Sequence, residues 1–107
     1  MKKHRLGSLE LTVLNAVARL GEEAYGLGVR RDVSELLRHD YSVGAIYTTL
    51  ARLEEQGLLT SSTTAPLPVR GGRSRRQFRL SPAGRKALRE AERLAVRMLE
   101  LNEARPV

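Results

Sequence analysis

A chain of 107 residues holds one domain with one core, too small for a large enclosed active site. It has no Cys, which excludes disulfides, thiol chemistry and cysteine-ligated zinc. Its net charge of +7 is local: from Gln56 to Arg89 there is no Asp or Glu, and Arg70, Arg73, Arg75, Arg76, Arg79, Arg85, Lys86 and Arg89 give that window +8, leaving −1 for the rest.

Localised cationic charge implies a polyanionic partner, most simply double-stranded DNA. A merely solubilising surface would intersperse both signs. The window lacks the aromatic and leucine face of a membrane-surface helix, and no apolar run approaches the roughly 20 residues that span a bilayer. The start, MKKHRLGSLEL, carries no apolar segment or cleavage site of a signal peptide, so a cytoplasmic chain is expected.

Residues 1–7 form a short basic arm with Lys2, Lys3, His4 and Arg5. Ser8 reads as the cap of a first helix over about 9–20, with a wide apolar face of Leu9, Val13, Leu14, Ala16, Val17 and Leu20, and Gly21 ends it. A second helix is expected from about Tyr25 to His39, its stripe made by Val29, Val33, Leu36 and Leu37. Gly26 and Gly28 fall in its first turn, where close approach to a neighbour is easiest. Asp40-Tyr41 is a tight connection.

The third helix starts at Ser42, a good N-cap, and runs to about Gln56. Ile46, Leu50 and Leu53 define its buried stripe, while Ala45, Thr48, Thr49 and Arg52 fall on other sides. Its leading surface is small and polar, which suits a groove better than a core. Gly57 is a natural left-handed stop. Two helices in quick succession, the second with such a face, form the helix-turn-helix pattern.

LLTSSTT then reads as a strand, APLPVRGGRS as a turn region, and RRQFRL as the return strand with Phe78 and Leu80 inward. The result is a hairpin with a long arginine-studded tip, the plan of a winged helix. Arg70, Arg73, Arg75 and Arg76 suit a minor groove or phosphates, because the guanidinium fork engages phosphate oxygens bidentately. Ser81-Pro82 starts a last helix to about Asn102 or Glu103. Ala87, Ala91, Leu94, Met98 and Leu101 mark its stripe, widened by Leu88 and Ala95. About 20 residues make about 30 Å of helix, more than a domain this size covers, so the helix is expected to pack on its counterpart in a homodimer.

YGLGVRRDV, SVGAIYTTLARLEEQGLL and RRQFRLSPAGRKAL, in this order and at these spacings, resemble the PadR family of bacterial transcriptional regulators. The resemblance covers about Leu6 to Leu101. Its most specific pieces are Gly44-Ala45-Ile46-Tyr47, Arg52-Leu53-Glu54, Gly57-Leu58-Leu59 and the segment from Phe78 to Gly84. Thr48 stands where many members have Pro, and Phe78 and Ser81 stand where many have Tyr and Thr. The resemblance implies a winged helix, a homodimer held largely by the terminal helices, and usually repression. Some members release DNA when phenolic or other aromatic compounds bind near the dimer interface. Here Trp is absent and aromatics are 4% of the chain, little to stack on a flat ligand, so the existence of a small-molecule or protein effector stays open. No cofactor or metal is implied.

The expected fold is therefore mainly α with a two-stranded β-wing. Residues 1–80 form the winged helix-turn-helix, with the wing at 58–80, and residues 81–107 form the C-terminal dimerisation helix. The DNA-binding candidates are Ser42, Gly44, Ala45, Tyr47, Thr48, Thr49 and Arg52 on the helix and Arg70, Arg73, Arg75 and Arg76 on the wing. Gly44 and Ala45 would let the backbone approach. Arg52 is a phosphate contact or a partner of Glu55 or Gln56. Tyr47 either reaches a base or packs the domain with its hydroxyl on a phosphate. Leu88, Ala91, Leu94, Ala95, Met98 and Leu101 are the dimer-interface candidates.

A winged-helix module that binds protein without sequence-specific DNA binding is the alternative, although it would not require an acid-free arginine window. Readers of single-stranded RNA offer aromatic platforms, whereas Tyr25, Tyr41, Tyr47 and Phe78 are scattered. An enzyme is not indicated: His4 and His39 lie far apart, and the glycines at Gly26–Gly28 and Gly71–Gly72 lack the context of a phosphate-binding loop.

Overall fold

The computed structural model describes residues 6–64 and 75–104. Residues 1–5 of the basic arm, the wing-tip positions including Arg70 and Arg73, and the last three residues lie outside the described residues. Helix α1 is Ser8–Leu20, followed by a short 3-10 helix at Gly21–Glu23, then α2 at Gly26–Leu37 and α3 at Val43–Glu55. Strands β1 (Leu59–Thr63) and β2 (Arg76–Leu80) follow, and α4 (Pro82–Ala104) closes the chain. The helical content, the antiparallel pair and their order match the expected winged helix.

The core lies among α1, α2, α3 and the inner side of the hairpin. Val13, Leu14, Val29, Val33, Ile46, Leu50 and Leu53 are fully buried, and Leu59 and Phe78 seal the core from the sheet. Burying side chains of this kind contributes about 1.5–3 kcal/mol each. Helical periodicity predicts this set well, because each helix puts one stripe inside.

Helix ends depart from the local reading at three places. Gly7, not Ser8, holds the cap position of α1, and no side chain caps it; Ser8 is already helical and its carbonyl accepts from the Thr12 hydroxyl at 2.7 Å. Helix α2 starts one residue late, because Tyr25 is extended and bridges Gln77 in β2. The same helix stops at Leu37, because Arg38 takes a left-handed conformation (φ 51°) and His39 N–H closes on the Ser34 carbonyl at 3.1 Å. That closure is a Schellman stop built without glycine. Leu36, expected in the stripe, is 55% exposed, since it lines an open groove with Leu11 and Asn15 of α1 and Leu88 and Ala91 of α4 instead of entering the core.

Strand β2 is bonded along both of its edges. It pairs with β1 from Leu59 opposite Leu80 to Thr63 opposite Arg76. On its other edge, Phe78 N–H donates to the Ala24 carbonyl at 2.9 Å, and the Gln77 side-chain amide donates to the Glu22 carbonyl at 2.8 Å. Gln77 is buried for this reason, although its strand neighbour Phe78 is buried too.

Ser81 ties the hairpin to α4. Its hydroxyl accepts from Gly84 N–H at 3.0 Å, and its own N–H donates to the Leu58 carbonyl at 3.1 Å. Gly84 sits so close to the α3–β1 connection that an added Cβ would lie 2.0 Å from the Leu58 carbonyl oxygen. The first turns of α4 are thus locked to the body, with Ala87 and Leu88 packed on the core. Beyond Ala91 the helix leaves the body. Leu94, Met98 and Leu101 are 51%, 56% and 70% exposed. The longest dimension of the molecule is 62 Å, and its radius of gyration of 16.0 Å exceeds the about 13 Å of a compact chain of this length.

Candidate nucleic-acid interface

Helix α3 is held at both ends by bonds its sequence supplies. Ser42 is its N-cap, with the hydroxyl accepting from Ala45 N–H at 3.1 Å. At the other end Gly57 is left-handed (φ 77°), and Leu58 N–H reaches back to the Leu53 carbonyl at 2.9 Å. The turn that leads into α3 is clamped from α2. Arg30 donates through Nε to the Tyr41 carbonyl at 2.7 Å and through Nη2 to Asp40 at 3.0 Å. Ser34 accepts from Tyr41 N–H at 3.2 Å, and the His39 ring meets Tyr41 edge-on at 4.4 Å. Neither Arg30 nor Ser34 was a sequence-based candidate, and no local pattern marks them, because they act across the turn.

With Ile46, Leu50 and Leu53 inside, α3 turns Ser42, Gly44, Tyr47, Thr48 and Arg52 outward, all exposed. Val43 and Ala51 share that face and escaped the sequence reading. Arg52 forms no ion pair among the described residues, so its guanidinium is not tied to Glu55. Among the described residues, beyond its chain neighbours and its own helix backbone, nothing lies within 4 Å of the position of a Cβ on Gly44, so their packing does not require a glycine there. Ala45 is half-buried.

Thr49 is a correction. It is 5% exposed, and its hydroxyl donates to the Ala45 carbonyl at 2.9 Å. It lies one turn from Ile46 on the inner side of the helix, where a short side chain satisfies itself on the preceding turn. It therefore leaves the outward set.

For Tyr47 the structure shows a packing contact. Its ring lies over Gly26 at the start of α2, so tightly that a Cβ on Gly26 would fall 2.3 Å from the ring and hydroxyl. The side chain is nevertheless 42% exposed. Close approach at Gly26 is thus real, and its neighbour is the tyrosine of α3.

The cations of the acid-free window that the structure describes are all exposed: Arg75, Arg76, Arg79, Arg85, Lys86 and Arg89. The two ion pairs among the described residues, Arg19–Asp32 and Arg30–Asp40, lie outside it. No acid within 4 Å neutralises this window there. Arg75, at the neck of the hairpin, stacks over the Tyr25 ring at 4.0 Å from its centroid. Arg76 projects from β2. Among the dimer candidates, Leu88 and Ala91 are half-buried beside α1, whereas Leu94, Ala95, Met98 and Leu101 are exposed. No described helix is long and apolar enough to cross a membrane.

The transcriptional regulator PadR-like family model matches residues 13–90. The transcriptional regulator Rv3488 of Mycobacterium tuberculosis is 38% identical over 95 residues, which are 87% of this chain and 80% of that protein. A PadR-like transcriptional regulator from Bacillus cereus superposes with a TM-score of 0.69 at 22% identity, covering 92% of this chain and 93% of its own. Bordetella bronchiseptica BpsR, whose DNA binding is regulated by 6-hydroxynicotinic acid, superposes with a TM-score of 0.69 at 18% identity over 100% of this chain and 72% of its own. The last two likenesses are of fold. With the winged helix in place and the family model spanning α1 to the first half of α4, the chain belongs to the PadR-like family of transcriptional regulators.

Proposed function

We propose that this chain is a sequence-specific DNA-binding regulator, a repressor that acts as a homodimer on a pseudo-palindromic operator. The observation that carries the reading is the outward face of α3. Ser42, Gly44, Thr48 and Arg52 are exposed beside the half-exposed Tyr47, on a helix capped at both ends and followed by a hairpin whose described cations have no acid partner among the described residues. A rigid, small-residue helix face fits a major groove, and flanking arginines supply the phosphate term. DNA binding of BpsR, a protein of the same fold, supports the use of this architecture on DNA.

In this proposal residues 1–80 bind DNA and residues 81–107 join two copies. The exposed stripe of Leu94, Ala95, Met98 and Leu101 supplies an apolar seam, continued inward by Leu88 and Ala91. Two-fold symmetry then puts two α3 helices in successive major grooves, about 34–36 Å apart. Ser42, Gly44, Ala45, Tyr47, Thr48 and Arg52 are the helix contacts, and Arg70, Arg73, Arg75 and Arg76 supply affinity from the wing. Acting on chromosomal DNA places the protein in the cytoplasm, without catalysis of its own.

The test is an affinity titration against the DNA upstream of this protein's own gene, at two salt concentrations, beside a scrambled duplex. The expected result is promoter binding tighter than the scramble by at least about a thousandfold. Equal, steeply salt-dependent binding to both would refute sequence-specific regulation at that promoter. Binding to neither would favour a module that recognises protein.

A further inference from the structure

The one cation–π pair among the described residues joins segments far apart in sequence. Arg75 lies at the hairpin neck, and Tyr25 lies just ahead of α2. Both partners are held independently of each other. Arg75 is fixed through its backbone: Thr64 N–H donates to its carbonyl at 2.7 Å, the Thr64 hydroxyl donates to the same oxygen at 3.0 Å, and Arg75 N–H donates to that hydroxyl at 3.2 Å. Tyr25 is fixed by its bridge to Gln77 and by its N–H on the Glu23 carbonyl at 2.9 Å. The next residue, Gly26, is the seat of Tyr47 from α3.

A guanidinium whose carbon rests 4.0 Å over a ring centroid is held by the ring and still carries N–H donors for a phosphate. Arg75 has no acidic partner among the described residues. The stack therefore holds a charged fork at a fixed place, linked through Tyr25 and Gly26 to the outward face of α3.

We infer that Tyr25 is a positioning residue for DNA binding: it preorganises Arg75 as a phosphate contact in register with α3. This rests on the DNA reading above. The phosphate is engaged by Arg75, and Tyr25 acts through it. A flexible arginine must lose side-chain freedom on binding, and a side chain seated on a ring beforehand has less to lose.

The experiment measures affinity and salt dependence on the promoter duplex for the wild type, Arg75→Ala, Arg75→Lys, Tyr25→Phe, Tyr25→Leu and the double variant Tyr25→Leu/Arg75→Ala. Arg75→Ala should reduce the salt slope by about one. Tyr25→Phe should bind as the wild type. Tyr25→Leu should weaken binding about two- to fivefold with the slope unchanged, and should cost nothing more once Arg75 is Ala. Arg75→Lys keeps the charge and the native tyrosine but loses the planar fork. It should reproduce the loss seen in Tyr25→Leu, and it tests the proposal even if that variant folds poorly. The inference is overturned if Arg75→Ala leaves the slope unchanged, if Arg75→Lys binds as the wild type, or if the two losses multiply in the double variant. A wild type that binds no duplex would instead overturn the DNA reading itself.

Discussion

Helices α3 and α4 are both amphipathic, yet they spend their apolar stripes differently. Helix α3 buries Ile46, Leu50 and Leu53 completely within its own chain and leaves a small polar face outside. Helix α4 buries its stripe only near its start, and beyond Ala91 shows solvent Leu94, Met98, Leu99 and Leu101. An exposed polar face on a rigid helix offers recognition. An exposed apolar stripe offers association, because contiguous apolar surface on a soluble protein marks an interaction site.

The sharpest way to break this contrast is to truncate one leucine from each stripe. Leu50→Ala should lower the unfolding free energy by about 2–5 kcal/mol at every protein concentration. Leu101→Ala should lower it by less than about 0.5 kcal/mol in dilute protein, with a loss that grows as concentration rises if two copies share the seam. Denaturant titrations at two protein concentrations give both numbers. Equal, concentration-independent losses would make α4 an ordinary core helix.

Charge placed on the seam comes next. Leu94→Glu combined with Met98→Glu should give a monomer in sedimentation, with helical circular dichroism retained. Loss of the second half-site should weaken operator binding by at least about a hundredfold. If the double variant still dimerises, the seam lies elsewhere.

On the α3 side, Gly26→Ala should cost about 1–3 kcal/mol, because the new methyl collides with the Tyr47 ring. In a Tyr47→Ala background most of that cost should vanish, a coupling that a double-mutant cycle reads directly. Additive losses would mean that the two helices meet through other contacts.

Gly44→Ala should have a small effect on the fold, of the opposite sign. A helical glycine with open space around it gains about 0.5–1 kcal/mol on acquiring a methyl. Thermal melting should therefore rise while DNA affinity falls. Unchanged affinity would show that the backbone of this first turn does not approach DNA.

What the sequence made legible were features that depend on near neighbours. The stripe of α3, the Ser42 cap, the Gly57 stop and the Ser81-Pro82 start each rest on residues within a turn or two, and all appear in the structure. What it hid rests on distant partners. The Gln77 amide reaches a carbonyl 55 residues away, and Tyr25 leaves α2 because a strand 52 positions later recruits it. The Arg38 stop was hidden for another reason: a left-handed arginine carries no glycine to announce it. Thr49 was misplaced because a hydroxyl bonded to its own helix is as acceptable inside as out.

The bonds between Thr64 and Arg75 have a consequence for how this chain tolerates insertion. They close the hairpin at its neck, so an insertion beyond them leaves the β1–β2 register set from the neck inward. The junction at Ser81 has no such freedom. One residue added between Leu80 and Pro82 would part the Ser81 hydroxyl and N–H from their partners at Gly84 and Leu58 and pull Gly84 from its seat on Leu58.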